Sequence, residues 1–237
     1  MALKDLCTPR PSVFAADRRA TVLSLDTFLK GEVDGRAFFE ENYFTNGMLA
    51  LVERAFRHLS GSGAGSSVFQ LSQAMGGGKT HSMISLGLLA RDPNLRQEVC
   101  SQIEGGNPAP NLGPCQVVGF NGRSTDAPGG IWGSIAEQLG KGEQFAKYVS
   151  PLLSAPGPQA WKELLGEQPL VIFLDELPPY LEYAVAVPVG NGNLATVTTA
   201  ALANLITHKA PQTSGPSPGK AYTRRLHWRS VPSLPPS

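Results

Sequence analysis

The sequence predicts an α/β fold: a parallel sheet with helices on both faces, behind a helical lead-in. Three observations predict it. Short apolar runs alternate with longer segments of helical periodicity, the pattern of strands joined by crossover helices. One run, Leu170–Leu174 (LVIFL), is apolar at every position, as a strand covered on both faces must be. A glycine-rich turn separates a strand candidate at Ser67–Leu71 from an apolar helix at Thr80–Leu89.

Composition excludes several alternatives. Of 237 residues, 26 are Gly and 20 are Pro, so turns are plentiful and a helical bundle or coiled coil is excluded. No apolar run reaches the roughly 18 residues that cross a bilayer. The start, MALKDLCTPRP, lacks the apolar stretch of a secretory signal. Cys7, Cys100 and Cys115 are widely spaced and odd in number, which fits neither a disulfide framework nor a zinc site. A cytoplasmic protein with no membrane partner is the expectation.

In chain order, residues 1–35 read as an extended lead-in with a short apolar stretch at Val22–Leu29. Arg36–Tyr43 reads as helical. Thr45 or Asn46 can cap a second helix at Met48–Leu59, where Leu49, Val52, Phe56 and Leu59 recur at spacings of three and four. Residues 61–65 form a flexible link and Met75–Gly78 a turn. The helix at Thr80–Leu89 stops at Arg91-Asp92-Pro93. Cys115–Phe120 is a second strand and Gly130–Val149 a helix. Leu170–Leu174 is the third strand, and Leu194–His208 a last helix. The expected division is a lead-in over 1–60, a core over 61–210 and a tail over 211–237.

The charge is unevenly placed. The last acid is Glu182, and Lys209, Lys220, Arg224, Arg225 and Arg229 follow it unopposed. From Pro211 onward 6 of 27 residues are Pro and 5 are Ser, too little apolar surface to offset ordering entropy. A basic tail for nucleic acid is one reading of this end. A disordered end, or one altered by truncation or a change of reading frame, is the reading the scattered charges favour.

Gln73-Ala74-Met75-Gly76-Gly77-Gly78-Lys79-Thr80 has the chemistry of a phosphate-binding loop. Several backbone N–H groups must point at one anion, and only glycine leaves room for it. The following helix adds its positive end. Gly76, Gly77, Gly78, Lys79 and Thr80 are the candidate ATP-binding residues, with Lys79 reaching the outer phosphates and the Thr80 hydroxyl holding Mg2+. The usual opening glycine is replaced by Gln73. His81 follows in the first helical turn and reads as a solvent-facing residue that could instead contact a partner or substrate. Ninety-five residues after Thr80, the apolar strand ends in Asp175-Glu176, at the edge where open α/β sheets bind ligands. Asp175 is the candidate metal ligand. Glu176 is the candidate base that polarises a water, and with Lys79 completes the candidate catalytic set. Arg123, after the second strand, reads as a solvated loop arginine that could instead face phosphate or a neighbouring subunit.

These segments resemble a known family. AMGGGKTH with its apolar helix, then VIFLDELPPY, is similar to P-loop ATPases of the AAA-like, additional-strand class. The run from LKDLCTPRPSVF through FFEENYFTNGMLALVERAF resembles the lead-in of the large bacterial ATPases called domain of unknown function 499. The resemblance implies a P-loop NTPase core that hydrolyses ATP with Mg2+ to drive a partner or a nucleic-acid-linked process. It also implies a homo-oligomer or larger complex, and by analogy alone a setting close to bacterial defence. In that class a later strand lies between the two motif strands. Here only Ala184–Val189, with Pro188 inside it, and Tyr222–Val231 are left to supply it, and Pro removes a ladder donor. The core is therefore expected to be partial. The alternative function is a truncated module that binds nucleotide without hydrolysing it. A small-molecule kinase is disfavoured, because no lid segment is evident.

Overall fold

The computed structural model describes residues 23–64, 66–72, 77–103, 105–123, 127–150 and 153–207. Gln73–Gly76, the tail from His208 and Cys7 lie outside the described residues. So does Tyr222–Val231.

The sheet explains the rest of the arrangement. β1 (Gln116–Asn121) and β2 (Leu170–Asp175) pair in parallel, from Gln116 opposite Leu170 to Asn121 opposite Asp175. Successive side chains on a strand point to opposite faces. Val117, Val171 and Phe173 join one apolar cluster, whereas Val118, Phe120, Leu170, Ile172 and Leu174 join another. The first cluster holds α1 (Leu25–Leu29), α2 (Gly35–Glu41), α3 (Asn46–Leu59), α4 (Lys79–Arg91) and α5 (Pro93–Ser101). The second holds α6 (Gly130–Gln138), α7 (Gly142–Phe145), α8 (Pro158–Leu165), α9 (Leu177–Val185) and α10 (Leu194–Thr207). A small parallel sheet thus has helices on both faces, as the alternation of apolar runs predicts.

Several boundaries follow local chemistry. Thr45 caps α3 by accepting from the Met48 N–H, and Asn46 is the first helical residue. Arg91 ends α4, but Asp92 at once caps α5, a helix without a strong sequence signal, with Pro93 in its first turn. The apolar stretch read as extended lead-in contains α1. Ser24 and Thr27 close a reciprocal cap there, and Leu25 and Phe28 are buried.

Other expectations are corrected. Ser67–Leu71 forms no ladder with any described strand. A lone extended segment has no partner for its backbone groups, and this one lays Phe69 against α3, under the Arg54 guanidinium and edge-on to His58. The helix expected over Gly130–Val149 breaks after Gln138. Gly140 takes φ +69°, a left-handed conformation that ends helices, and α7 and a short 3-10 turn at Ala146–Tyr148 follow. Ala184–Val189 supplies no central strand, as Pro188 suggests: α9 runs to Val185, and Pro188–Val189 (β3) forms a minimal hairpin with Gly192–Asn193 (β4). α8 and α9 escape the sequence reading because Pro158, Pro178 and Pro179 look like breakers. All three lie in first turns, where proline's missing N–H costs nothing.

α4 is the central helix, buried without interruption from Ser82 to Ala90. Its buried Ser82 and Ser85 hydroxyls donate to the carbonyls of Gly78 and His81, four residues back. Gly87 lets α4 approach the sheet: a Cβ there would collide with Phe28 Cζ and stand 3.0 Å from Phe173 Cε2. Alanine gains about 1 kcal/mol of helix propensity over glycine, and overpacking a filled core costs about 1–3 kcal/mol. Since both ring contacts belong to interlocked core aromatics, the steric term wins. Gly87→Ala is expected to lower the denaturation midpoint by the equivalent of up to about 2 kcal/mol. An unchanged or raised midpoint in urea would show that the rings yield freely.

Candidate functional site

The carboxyl end of the sheet meets the start of α4. Gly77 and Gly78 are exposed, and Gly78 sits at φ +78°, the left-handed conformation that lets the chain turn into the helix. Lys79 is the first residue of α4 and is half-buried. Thr80 is the second. Its hydroxyl donates to Asp175 Oδ2 at 2.9 Å, joining positions 95 residues apart. The other carboxylate oxygen, Oδ1, accepts from the Glu176 backbone N–H at 3.0 Å. Thr80, Asp175 and Glu176 are thus brought together, with Gly78 and Lys79 adjacent in the chain. Gly76 lies outside the described residues.

Glu176 has an unusual backbone. It caps α9 at φ 52°, ψ 40°, the single positive-φ residue other than glycine among the described residues. Such a conformation costs on the order of 1–3 kcal/mol and is kept only where the surroundings impose it. Here the Gly122 N–H donates to the Asp175 carbonyl at 2.8 Å. Any Cβ on Gly122 would collide with the Glu176 carbonyl oxygen. The strand-end turn of β1 therefore lies directly on the Asp175-Glu176 peptide. It carries Arg123 to the same place, with Nη2 3.5 Å from Glu176 Oε1. Arg123 is solvent-exposed, as its loop position suggests, and Glu176 is its ion-pair partner. Both groups face water, so the pair contributes little to stability.

His81 corrects the expectation of a solvent-facing residue. Its ring packs on Phe38 at 4.8 Å, and Nε2 lies 2.6 Å from Asn42 Oδ1. The Asn42 amide nitrogen donates to the Phe38 carbonyl, which orients Oδ1 toward the imidazole, so Nε2–H is the donor. The histidine ties the first turn of α4 to the end of α2.

Asn121 and Gly122 are the site residues that sequence reasoning missed. Asn121 stands opposite Asp175 in the ladder, donates to Asp26 Oδ2 at 2.6 Å and accepts from the Arg123 N–H. Their signal was present: Asn-Gly closes the apolar run CQVVGF as Asp-Glu closes LVIFL, so two parallel strands carry polar ends to one edge.

Thr80 and Asp175 offer hard oxygen donors of the kind Mg2+ takes. Magnesium is commonly held by only one or two carboxylates together with substrate phosphates. The described residues contain no cluster of three or more His, Cys, Asp or Glu. Cys100 and Cys115 are free and buried. Burial pushes the Cys100 thiol up to about 11 and raises that of Cys115, so neither is a thiolate at neutral pH. No helix among the described residues is long and apolar enough to cross a membrane.

Comparison with known proteins gives one finding. Residues 29–105 match the family model described as the DUF499 N-terminal domain. The matched stretch runs from the end of α1 past α5 and includes Lys79 and Thr80, whereas Asp175 and Glu176 lie beyond it. No curated protein and no solved structure matches the chain.

Burial holds the His81 imidazole below its ordinary value of 6.5. As pH falls, the unfolded chain therefore takes up this proton before the folded one does. The stabilisation is complete above pH 6.5 and is lost as pH falls through the lowered folded value. Between about pH 7.5 and 5.5 the parent is expected to lose more thermal stability than His81→Gln, which keeps a donor toward Asn42. Equal losses in the two proteins would show that His81 does not titrate in this way.

Proposed function

We propose that the chain binds ATP with magnesium where α4 begins, and hydrolyses it to drive work on a partner. The observation that carries this reading is the Thr80–Asp175 hydrogen bond. It brings the hydroxyl that follows the lysine of a glycine-rich turn onto the acid that ends an apolar strand.

Each residue has a distinct part. The N–H groups of the glycine-rich turn and the first turn of α4 bind the phosphates. The Lys79 ammonium balances their charge. Thr80 and Asp175 would hold the metal through oxygen. When bound, magnesium neutralises charge on the phosphate oxygens. Glu176 accepts a proton from the attacking water, and its imposed backbone turns it out of the strand, so that the two adjacent acids serve different tasks. The Arg123 ion pair is solvent-exposed and weak, and leaves the carboxylate available.

A second reading is binding without hydrolysis. It is favoured by the fact that β2, which carries Asp175, pairs only with β1 among the described residues. The base would then stand on a strand braced from one side alone.

Titration calorimetry with magnesium and ATP separates these readings. The parent is expected to bind, and Lys79→Ala to bind about 100-fold more weakly or not at all. Asp175→Ala is expected to weaken the magnesium-dependent part. Glu176→Gln is expected to bind as the parent does while releasing phosphate about 10²–10⁴-fold more slowly. Equal affinity of Lys79→Ala and parent would overturn the nucleotide site. Binding by a parent that releases no phosphate would establish the second reading.

A further inference from the structure

Two peptide planes flank Glu176, and its φ and ψ are the rotations between them. Gly122 meets both planes. Its N–H donates to the Asp175 carbonyl at 2.8 Å, which fixes the plane before Glu176. The other end of that plane is held as well, since the Glu176 N–H donates to Asp175 Oδ1 at 3.0 Å. The plane after Glu176 is set by empty space. A Cβ on Gly122 would collide with the Glu176 carbonyl oxygen and stand 2.7 Å from its carbonyl carbon. That carbonyl therefore occupies the place where a side chain at position 122 would lie.

Glycine is required here by space. Gly122 has no positive φ, so its own backbone does not call for glycine. Nor can α9 retreat from a side chain at this position. The same Cβ would stand 3.1 Å from Tyr180 Cβ, and Tyr180 is enclosed, with its ring edge-on to Phe120 at 5.0 Å. Ala184, one turn further along α9, is fully buried in the cluster shared with α10. A close-packed interior of this kind resists displacement. The Glu176 carbonyl is the part that yields most readily, because rotating it out of the left-handed region also releases the strain of that conformation.

We infer that Gly122 is the positioning residue for Glu176. By fixing one flanking peptide and leaving room for the other, it sets the backbone of Glu176 and with it the place where the carboxylate stands. The inference rests on the reading of Glu176 as the base, and adds to it what holds that base in place. A rotation at this backbone swings the whole side chain, and a misplacement of about 1 Å at a reacting group costs about 100-fold in rate. A methyl group at position 122 is therefore expected to act on turnover and to spare binding, which depends on the glycine-rich turn, Lys79, Thr80 and Asp175.

The test uses the full chain carrying Gly122→Ala, read in two ways. Without nucleotide, the Glu176 Cα and Cβ chemical shifts are expected to report positive φ in the parent and negative φ in the variant. With magnesium and ATP, affinity and binding stoichiometry by calorimetry are expected to match the parent, while phosphate release falls about 10–100-fold. Unchanged stoichiometry separates this loss from a loss of folded protein. Unmoved Glu176 shifts in the variant would overturn the inference, and so would moved shifts with the parent's rate of release. A parent that binds no ATP or releases no phosphate would count against the function proposed above, and the shifts would still decide on Gly122. If Gly122→Ala does not fold, Glu176→Gly is added to it. Glycine lets the peptide after position 176 turn freely, so the double variant is expected to fold. Its failure to fold would overturn the inference, because the collision would then not be relieved at Glu176.

Discussion

Everything at the candidate site depends on the six-residue parallel register between β1 and β2. That register sets Asn121 beside Asp175 and stacks Gly122 on the Asp175-Glu176 peptide. The alternation along the same residues divides the apolar side chains between two clusters, so the helices on each face are held by one pair of strands. α4 crosses one face at Gly87, against Phe28 and Phe173. Its depth of approach decides whether Thr80 reaches Asp175. Packing of a glycine on two aromatic rings, two helical turns away, is thus part of the geometry of the polar site.

The parts of this arrangement legible in the sequence are those with a strong local signal. LVIFL declares a strand covered on both faces, and the periodicity of Met48–Leu59 declares an amphipathic helix. The lysine and threonine after three glycines, and the two acids after an apolar run, declare the polar ends. What was not legible depends on partners distant in sequence. Ser67–Leu71 has the composition of a strand, but strand formation is a property of pairs, and the described residues offer it none. Pro158, Pro178 and Pro179 suggest loops until their positions in first turns are known. His81 looks exposed until α2 is placed against it, since nothing near position 81 announces Phe38 or Asn42.

The two strands of the sheet differ. β1 is the better buried strand, with Val117 to Phe120 all enclosed, and its outward residues are met by Arg91, Gln138 and Asp26. β2 is the more apolar strand and the less buried one, with Phe173 alone fully enclosed. Among the described residues β2 pairs with β1 alone, and the polar site lies at the carboxyl end of these two strands.

The central claim is that Thr80 and Asp175 act together on one metal-nucleotide ligand. A double-mutant cycle on magnesium-ATP affinity tests it most directly, using Thr80→Val, Asp175→Asn and the pair. Residues that share one ligand are coupled by about 0.5–3 kcal/mol, whereas independent positions add. The account predicts that the double variant binds appreciably better than the sum of the two single losses allows. Strictly additive losses, or an affinity that ignores both substitutions, would contradict it.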